Sequence, residues 1–208
     1  MNKDTVKIAF GVDLLNGFAH HEGGLYVPGG EKVITPANQI IFYVTSLPKG
    51  LVFLAADSHP RNSKHFKVNG GKWPVHCIKD TWDAFFHKGL CVPLGARIFY
   101  KGTGENEDGY DPWGGKNQYG QTPLDVIHGI DSVEIYFFGL ATNFCLMSGV
   151  LNACGIKNLF GKFEKVCLVV DACRAVPDVS PTEQEAIEKM EAAGAIMTTT
   201  REVINDRV

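Results

Sequence analysis

The sequence lacks the features that mark secreted, membrane and nucleic-acid-binding proteins. Its first residues contain no long apolar stretch like that of a secretory leader, and no apolar run approaches a membrane span in length. Its 20 Lys and Arg residues stand against 23 Asp and Glu residues, a net charge of -3, with no basic cluster. That balance provides no electrostatic footprint for nucleic acid or for an anionic membrane. We therefore expect a cytoplasmic protein that binds neither.

The sequence also lacks a Cys-x-x-Cys pair, although it contains six cysteines. These are Cys77, Cys91, Cys145, Cys154, Cys167 and Cys173. In a reducing compartment we interpret them as free thiols, so any reactive one must be identified from its surroundings.

The composition is that of an ordinary globular protein. Of the 208 residues, 45% are apolar and 21% are charged, which excludes disorder, collagen-like repeats and a coiled coil. The chain is long enough for one sizeable core, and it contains no internal repeat or linker. We predict a single domain over residues 1–208.

Six short runs rich in β-branched or aromatic residues predict buried strands. They cover residues 6–12, 51–56, 97–100, 133–139, 166–170 and 195–199. Segments with helical periodicity lie at 36–44, 143–154 and 182–193. The alternation of strands and helices predicts a three-layer α/β/α fold with a central, mostly parallel six-stranded sheet.

Chemically capable residues follow the ends of four predicted strands. Asp13, Asp57 and Lys101 come directly after three of them, and a short segment leads from the fourth to Cys145. In open parallel sheets, ligands bind outside the carboxyl ends of the strands, where the strand order reverses. We therefore expect these four groups to converge on one crevice.

Asp57 and His59 form a candidate metal site. In an extended chain, side chains two residues apart point the same way, so both can reach one ion. His65 and His76 follow in the same long loop. One carboxylate with two or three imidazoles suits Zn²⁺, Fe²⁺ or Mn²⁺. The spacing alone leaves open the alternative that these are solvated loop histidines.

Cys145 is a candidate nucleophile because a strand passes into a helix there. A thiol in the first turn of a helix faces unpaired N–H groups, which favour the thiolate and can hold an oxyanion. Asp13 is suited to accept the thiol proton, and a nearby Lys101 would favour thiolate formation. The alternatives are a buried apolar cysteine, a helix N-cap at Asp13 and a solvated charge at Lys101.

Taken together, these motifs resemble the nicotinamidase/pyrazinamidase branch of the isochorismatase-like cysteine hydrolase superfamily. The resemblance extends over residues 6–199, nearly the whole chain. The matching elements are Val12-Asp13 with Asn16 and Phe18, Val27-Pro28-Gly29-Gly30, Asp57-Ser58-His59-Pro60, Trp73-Pro74-Val75-His76-Cys77, Phe99-Tyr100-Lys101-Gly102, and Gly139-Leu140-Ala141-Thr142 leading to Cys145.

The resemblance implies an amidohydrolase that converts nicotinamide to nicotinate and ammonia through a cysteine thioester, in NAD salvage. Pyrazinamide-like analogues would be accepted too. The cofactor would be a divalent metal, first of all Zn²⁺, with Fe²⁺ or Mn²⁺ as alternatives. Whether the protein forms a homo-oligomer stays open.

The resemblance also implies a role for each matched residue. Asp13, Lys101 and Cys145 would form the catalytic triad. A cis Leu140–Ala141 bond would help to build an oxyanion hole from the Ala141 and Cys145 N–H groups. The remaining implied residues are the metal ligands Asp57, His59 and His76 with His65 as a further or variable ligand, and the substrate-binding residues Phe18, Trp73 and Leu140.

Several positions depart from the family pattern. Leu15 and Gly17 stand where Gln and Asp are common, Asn143 replaces an Asp, and Thr81-Trp82-Asp83 replaces Thr-Pro-Gly. None of these changes removes a catalytic or ligand residue, but they leave the preferred amide open. A related N-carbamoyl or ureido hydrolase and a non-catalytic metal- or nicotinamide-binding protein therefore stay as alternatives.

Overall fold

A computed structural model describes residues 5–206. Its six strands lie in one sheet and are β1 (Val6–Val12), β2 (Gly50–Asp57), β3 (Arg97–Lys101), β4 (Val133–Leu140), β5 (Phe163–Arg174) and β6 (Ile196–Thr198). The strand order is β3-β2-β1-β4-β5-β6, and every neighbouring pair is parallel. This confirms the predicted six-stranded parallel sheet.

In the described part of the chain, six α-helices connect or flank the strands. They are α1 (Asn16–Ala19), α2 (Ile34–Ser46), α3 (Pro123–Val126), α4 (Met147–Phe160), α5 (Glu183–Ala192) and α6 (Thr200–Ile204). A π-helical turn, Thr142–Leu146, leads directly into α4. The start of α5 is fixed by a capping box, in which the Thr182 hydroxyl accepts a hydrogen bond from the Glu185 N–H.

The sheet has an apolar core on each face because side chains alternate along its strands. On one face, Tyr136 and Phe138 of β4 lie in a cluster with the buried side of α2 and with Val203 of α6. On the other face, Ile135 and Phe137 lie in a cluster with residues of α4 and α5. This is the predicted three-layer arrangement.

Two elements, β5 and α4, extend furthest beyond their predicted bounds. β5 extends well beyond residues 166–170 because the backbone continues to pair with β4 through Arg174, after its apolar run has ended. The helix predicted at 143–154 runs on to Phe160 and starts as the π-helical turn. Within residues 5–206, no helix is both long enough and apolar enough to cross a membrane.

The strand order reverses between β1 and β4, the two central strands. From β1 the chain builds outward to β2 and β3, and it returns to the other side of β1 as β4. The carboxyl ends of these four strands therefore border one crevice.

Candidate active site

Four side chains meet at the carboxyl edge of the sheet around the Lys101 ammonium. Lys101 Nζ lies 2.7 Å from Asp13 Oδ2, 2.6 Å from Asp57 Oδ1 and 3.4 Å from Cys145 Sγ. Asp57 and Lys101 end adjacent strands and are direct partners in the register of β2 and β3. All four residues are buried, at 1% to 7% relative exposure. The structure thus brings the predicted triad together.

The geometry excludes the simpler interpretations of these residues. The N-cap of α1 is Leu15, so Asp13 is not a helix cap. Lys101 is not a solvated charge, since it is only 3% exposed. Cys145 is buried but lies beside an ammonium, which is not the environment of an inert apolar cysteine.

The buried charges in the group influence one another's protonation. Burial alone would lower the pKa of Lys101, but Asp13 and Asp57 raise it well above its usual value, so Lys101 is a cation. Burial opposes ionisation of Asp57, yet Lys101 and the neighbouring imidazoles hold its pKa below the ordinary value. Burial and repulsion from Asp57, partly offset by Lys101, raise the pKa of Asp13 to about 6.

Burial decides the protonation of Cys145. It raises the pKa of the thiol well above the usual value; Lys101 opposes this rise, as expected of a nearby ammonium, while Asp13 and Asp57 add to it. A carboxylate oxygen of Asp13 lies within 4.8 Å of the Cys145 sulfur. Cys145 is therefore a thiol that needs a base, the role expected of Asp13.

A second group of ligating atoms lies next to Asp57. The candidate ligand nitrogens of His59, His65 and His76 lie within 4.8 Å of one another. Asp57 Oδ2 is 3.4 Å from His59 Nε2 and 4.0 Å from His76 Nε2. His59 and His76 are 0% and 2% exposed, so they are not solvated loop residues.

Hydrogen bonding leaves two of these imidazoles with free nitrogens. The Nδ1 atoms of His59 and His76 bond to the carbonyls of Gly102 and Pro74 at 2.9 and 2.8 Å. A carbonyl only accepts, so each Nδ1 carries a proton, and in the neutral ring each Nε2 presents a lone pair toward Asp57. His59 Nε2 is buried without a hydrogen-bond partner. A cation between these lone pairs and the carboxylate would satisfy both, so the residues fit a divalent metal.

His65 lies at the edge of this group. Burial and repulsion from His59 and His76 lower its pKa to about 4, which keeps the imidazole neutral and able to bind a metal. It is only partly buried and stacks on His59 at a ring-centroid distance of 4.9 Å.

A narrow aromatic pocket opens onto Cys145 and the imidazoles. Phe18 and Trp73 both line it, as do His65 and His76. The Phe18 ring lies edge-on to His76, with centroids 5.3 Å apart. The positions of Phe18 and Trp73 suit the predicted contact with the aromatic ring of a substrate.

The pocket contains residues that the sequence did not point to. Its wall also includes Leu25, Tyr110, Phe144 and Val176. Trp73 Nε1 donates a hydrogen bond to the Tyr110 hydroxyl at 2.7 Å. The available signal was the length of the loop that contains Tyr110, because such loops usually carry function.

Leu140 is the predicted site residue that the structure places elsewhere. Its side chain is fully buried in the core on the α2 face of the sheet and is not part of the pocket wall. Alternation along β4 puts it on the same face as Phe138. The Leu140–Ala141 peptide bond is cis, as the resemblance implied, and Ala141 lines the pocket.

Comparison with known proteins agrees with this architecture. The isochorismatase domain model matches residues 8–202. A nicotinamidase of Escherichia coli is 30% identical over 90% of this chain and 92% of its own length. The structure of a pyrazinamidase of Pyrococcus horikoshii in complex with zinc superposes with a TM-score of 0.77 at 28% identity, over 93% of this chain and 98% of that one. The structure of a nicotinamidase/pyrazinamidase of Acinetobacter baumanii superposes with a TM-score of 0.79 at 27% sequence identity. The match covers 97% of this chain and 100% of that one.

The strand order, with reactive groups at four strand ends, defines an α/β protein with a hydrolase site at its topological switch point. The chain belongs to the isochorismatase domain family.

Proposed function

We propose that this chain hydrolyses nicotinamide to nicotinate and ammonia through a thioester on Cys145. The observation that carries the proposal is the position of Asp57, whose two oxygens face different groups. Oδ1 contacts the Lys101 ammonium beside Cys145, while Oδ2 faces the imidazole nitrogens of His59 and His76. A candidate nucleophile and a candidate metal group therefore share one pocket. The 30% identity to the Escherichia coli nicotinamidase supports the choice of substrate.

The first half of the reaction begins with the protonated thiol. Asp13, whose carboxylate lies within 4.8 Å of the Cys145 sulfur, takes the thiol proton as Sγ attacks the carboxamide carbon. The resulting oxyanion is held by the N–H groups of Ala141 and Cys145. Asp13 then gives its proton to the departing nitrogen, so ammonia leaves and a thioester remains. Lys101 stays charged throughout and balances the negative charge around it.

The second half uses the same base. Asp13 is ionised again after ammonia leaves, so it can take a proton from an attacking water. The C–S bond breaks and the proton on Asp13 returns to the Cys145 sulfur. The acid product loses its remaining proton to the released ammonia or to solvent and leaves as the carboxylate. Since one carboxylate serves both halves, it must exchange protons readily, and its pKa of about 6 suits that role.

Asp57, His59 and His76 would hold the divalent metal, with His65 as a further or variable ligand. This donor set suits Zn²⁺ first, with Fe²⁺ and Mn²⁺ as alternatives. When bound, such an ion supplies Lewis acidity that orients a ring nitrogen and lowers the pKa of water. Phe18 and Trp73 would contact the two faces of the pyridine ring, and pyrazinamide, with a similar ring, should be accepted. The nicotinate released would enter NAD salvage.

The decisive test measures ammonia release from nicotinamide with metal-stripped and metal-restored protein in parallel. We expect turnover to disappear on chelation and to return with Zn²⁺, Fe²⁺ or Mn²⁺. N-carbamoylsarcosine, a ureido substrate, serves as the comparison compound. The proposal would be contradicted if the ureido compound were turned over while no metal-loaded sample released ammonia from nicotinamide. It would also be contradicted if nicotinamide bound without being turned over.

A further inference from the structure

Asp83 joins two segments of the chain that both contribute to the pocket wall. Its Oδ2 accepts a hydrogen bond from the Cys77 N–H at 2.8 Å, and its Oδ1 accepts one from the Gly24 N–H at 3.0 Å. The Cys77 thiol also approaches the Asp83 carbonyl, at 3.6 Å. A carboxylate that accepts two backbone N–H groups fixes both segments more firmly than a neutral acceptor would.

Each group that Asp83 contacts is next in sequence to a pocket residue. Cys77 follows His76, one of the candidate metal ligands, and Gly24 precedes Leu25. Both His76 and Leu25 line the pocket. A shift of either backbone segment would therefore move a side chain that faces the metal or the substrate.

The two nearest glycines leave room for the Asp83 carboxylate. A Cβ atom on Gly17 would lie 2.8 Å from Asp83 Oδ2 and 2.7 Å from Cys77 Sγ. A Cβ atom on Gly24 would lie 3.0 Å from the same oxygen. Gly17 and Asp83 are two of the departures from the family pattern noted above, and here they are in contact. Gly17 also precedes Phe18, so a third pocket residue is adjacent to this contact.

Two hydrogen bonds from Asn16 hold the segment that contains Asp83. Asn16 Nδ2 donates a hydrogen bond to the Trp82 carbonyl at 2.9 Å, and the Asn16 N–H donates one to the Phe85 carbonyl at 2.9 Å. The short segment containing Asp83 is thereby anchored to α1. The Asp83 carboxylate therefore connects α1 to the segment that contains His76.

We infer that Asp83 is a positioning residue that sets His76 against the Phe18–Leu25 side of the pocket, and so tunes metal affinity and substrate binding. It touches neither the metal ligands' nitrogens nor the reacting atoms. The substrate part of this inference rests on the proposed function, whereas the metal part does not. Groups hydrogen-bonded directly to a metal ligand change metal affinity about 10- to 100-fold when replaced. Asp83 acts one residue away, through the Cys77 backbone, so its effect should lie at the lower end of that range.

The test compares Asp83→Asn with Asp80→Asn. Asn keeps the size of Asp83 but turns an NH₂ group toward one of the two N–H donors, so one hydrogen bond is lost. Asp80 is an exposed acid in the same loop, and its replacement removes the same charge. The readouts are Co²⁺ affinity by chelator competition, the Co²⁺ absorption spectrum, and KM and kcat for nicotinamide at saturating metal. Thermal unfolding of the metal-free proteins establishes that each variant is folded.

We expect Asp83→Asn to weaken Co²⁺ binding by about tenfold and to alter the Co²⁺ spectrum. KM should rise while kcat is retained, because ground-state and transition-state binding are lost equally. Wild-type Co²⁺ affinity in Asp83→Asn, or an equal loss in Asp80→Asn, would overturn the inference. If the wild-type protein does not turn over nicotinamide, the proposed function fails, and the Co²⁺ measurements still decide the role of Asp83.

Discussion

The two buried carboxylates of the site differ in protonation because their neighbours differ. Asp57 faces Lys101 and two imidazoles, which hold its pKa below the ordinary value. At Asp13, Lys101 only partly offsets burial and the charge of Asp57, so the pKa rises to about 6. Neighbouring groups whose pKa values are pushed apart are suited to different tasks. Asp57 is suited to remain a charged metal ligand, and Asp13 to exchange a proton.

The pKa of Asp13 predicts the acid side of the pH profile. Below about pH 6 the Asp13 carboxyl is protonated and cannot take the Cys145 proton, so kcat/KM should fall about tenfold for each further pH unit. At higher pH, Asp13 is ionised and this limit disappears. The measurement is kcat/KM for nicotinamide between about pH 4.5 and 8, with metal content determined at each pH to separate metal loss from Asp13 protonation. A flat profile down to pH 5 with bound metal would contradict the assignment.

Replacing Cys145 distinguishes a nucleophile from a packing residue. Cys145→Ala should abolish ammonia release, since no thioester can form, while Co²⁺ binding persists because the imidazoles are untouched. Cys154→Ala is the matched control: Cys154 is also buried, in α4, and lies in the core. It should retain turnover at some cost in stability. Normal turnover by the Cys145 variant would exclude the thioester mechanism.

At the scale of elements, the residues predicted best are those tied to strand ends. Asp57 and Lys101 could be placed because an apolar run marks each strand, and the parallel arrangement sets where the strands end. Asp13 and Cys145 could be placed for the same reason. The sequence alone could not show that burial outweighs Lys101 at Cys145, because the pKa of the thiol depends on groups from three other segments.

Residues in the long loops were harder to place. Tyr110 reaches the pocket through its contact with Trp73 and by stacking on Phe144 at 5.9 Å, and neither contact has a local sequence signal. Asp83 likewise acquires its role from a contact with Gly24, which is 59 residues away in another loop, as well as from Cys77 in its own loop. Contacts between loops depend on the complete fold, so pattern alone does not reveal them.

The packing of α4 against the loop that carries Tyr110 yields a prediction at this scale. A Cβ atom on Gly149 would lie 2.6 Å from Cγ of Pro112, and the Gly149 carbonyl accepts a hydrogen bond from Trp113 Nε1 at 2.8 Å. Gly149→Ala should therefore displace this loop, lower the free energy of unfolding by about 1–3 kcal/mol, and raise KM for nicotinamide.

The matched control for Gly149 lies in the same helix. Gly155 is exposed, and a Cβ atom there would meet nothing within 4 Å. Gly155→Ala should leave KM unchanged and increase the free energy of unfolding by up to about 1 kcal/mol, because alanine is the better helix former. Urea denaturation of both variants measures the difference. Equal free energies of unfolding for the two variants would contradict the prediction, because they would mean that the loop accommodates the added methyl group without destabilisation.

At the scale of the whole molecule, the strand order determines which side chains can meet. Asp13 follows a central strand, whereas Lys101 ends β3, two strands away, a separation of about 10 Å at the usual spacing. A long side chain is needed to cover that distance, and Lys101 crosses over Asp57 on β2 to reach Asp13. Cys145 arrives from the other side, through the turn after β4. The strand order therefore assembles the site, and the long side chain at Lys101 spans the distance from β3 to Asp13.

The same topology predicts that the metal stabilises the entire fold, because its ligands come from the end of β2 and from the long loop after it. A ligand that binds only the folded state stabilises it by about 2.7 kcal/mol at roughly a hundred times its Kd, so Zn²⁺ should raise the Tm of the metal-stripped protein.

The variant His76→Ala should lose most of this increase in Tm, since His76 is buried beside Asp57. His128→Ala, which removes an exposed histidine outside the group, should keep it. Calorimetry with and without chelator measures both. An unchanged Tm in the wild-type protein, or an equal loss in both variants, would refute metal binding at this site.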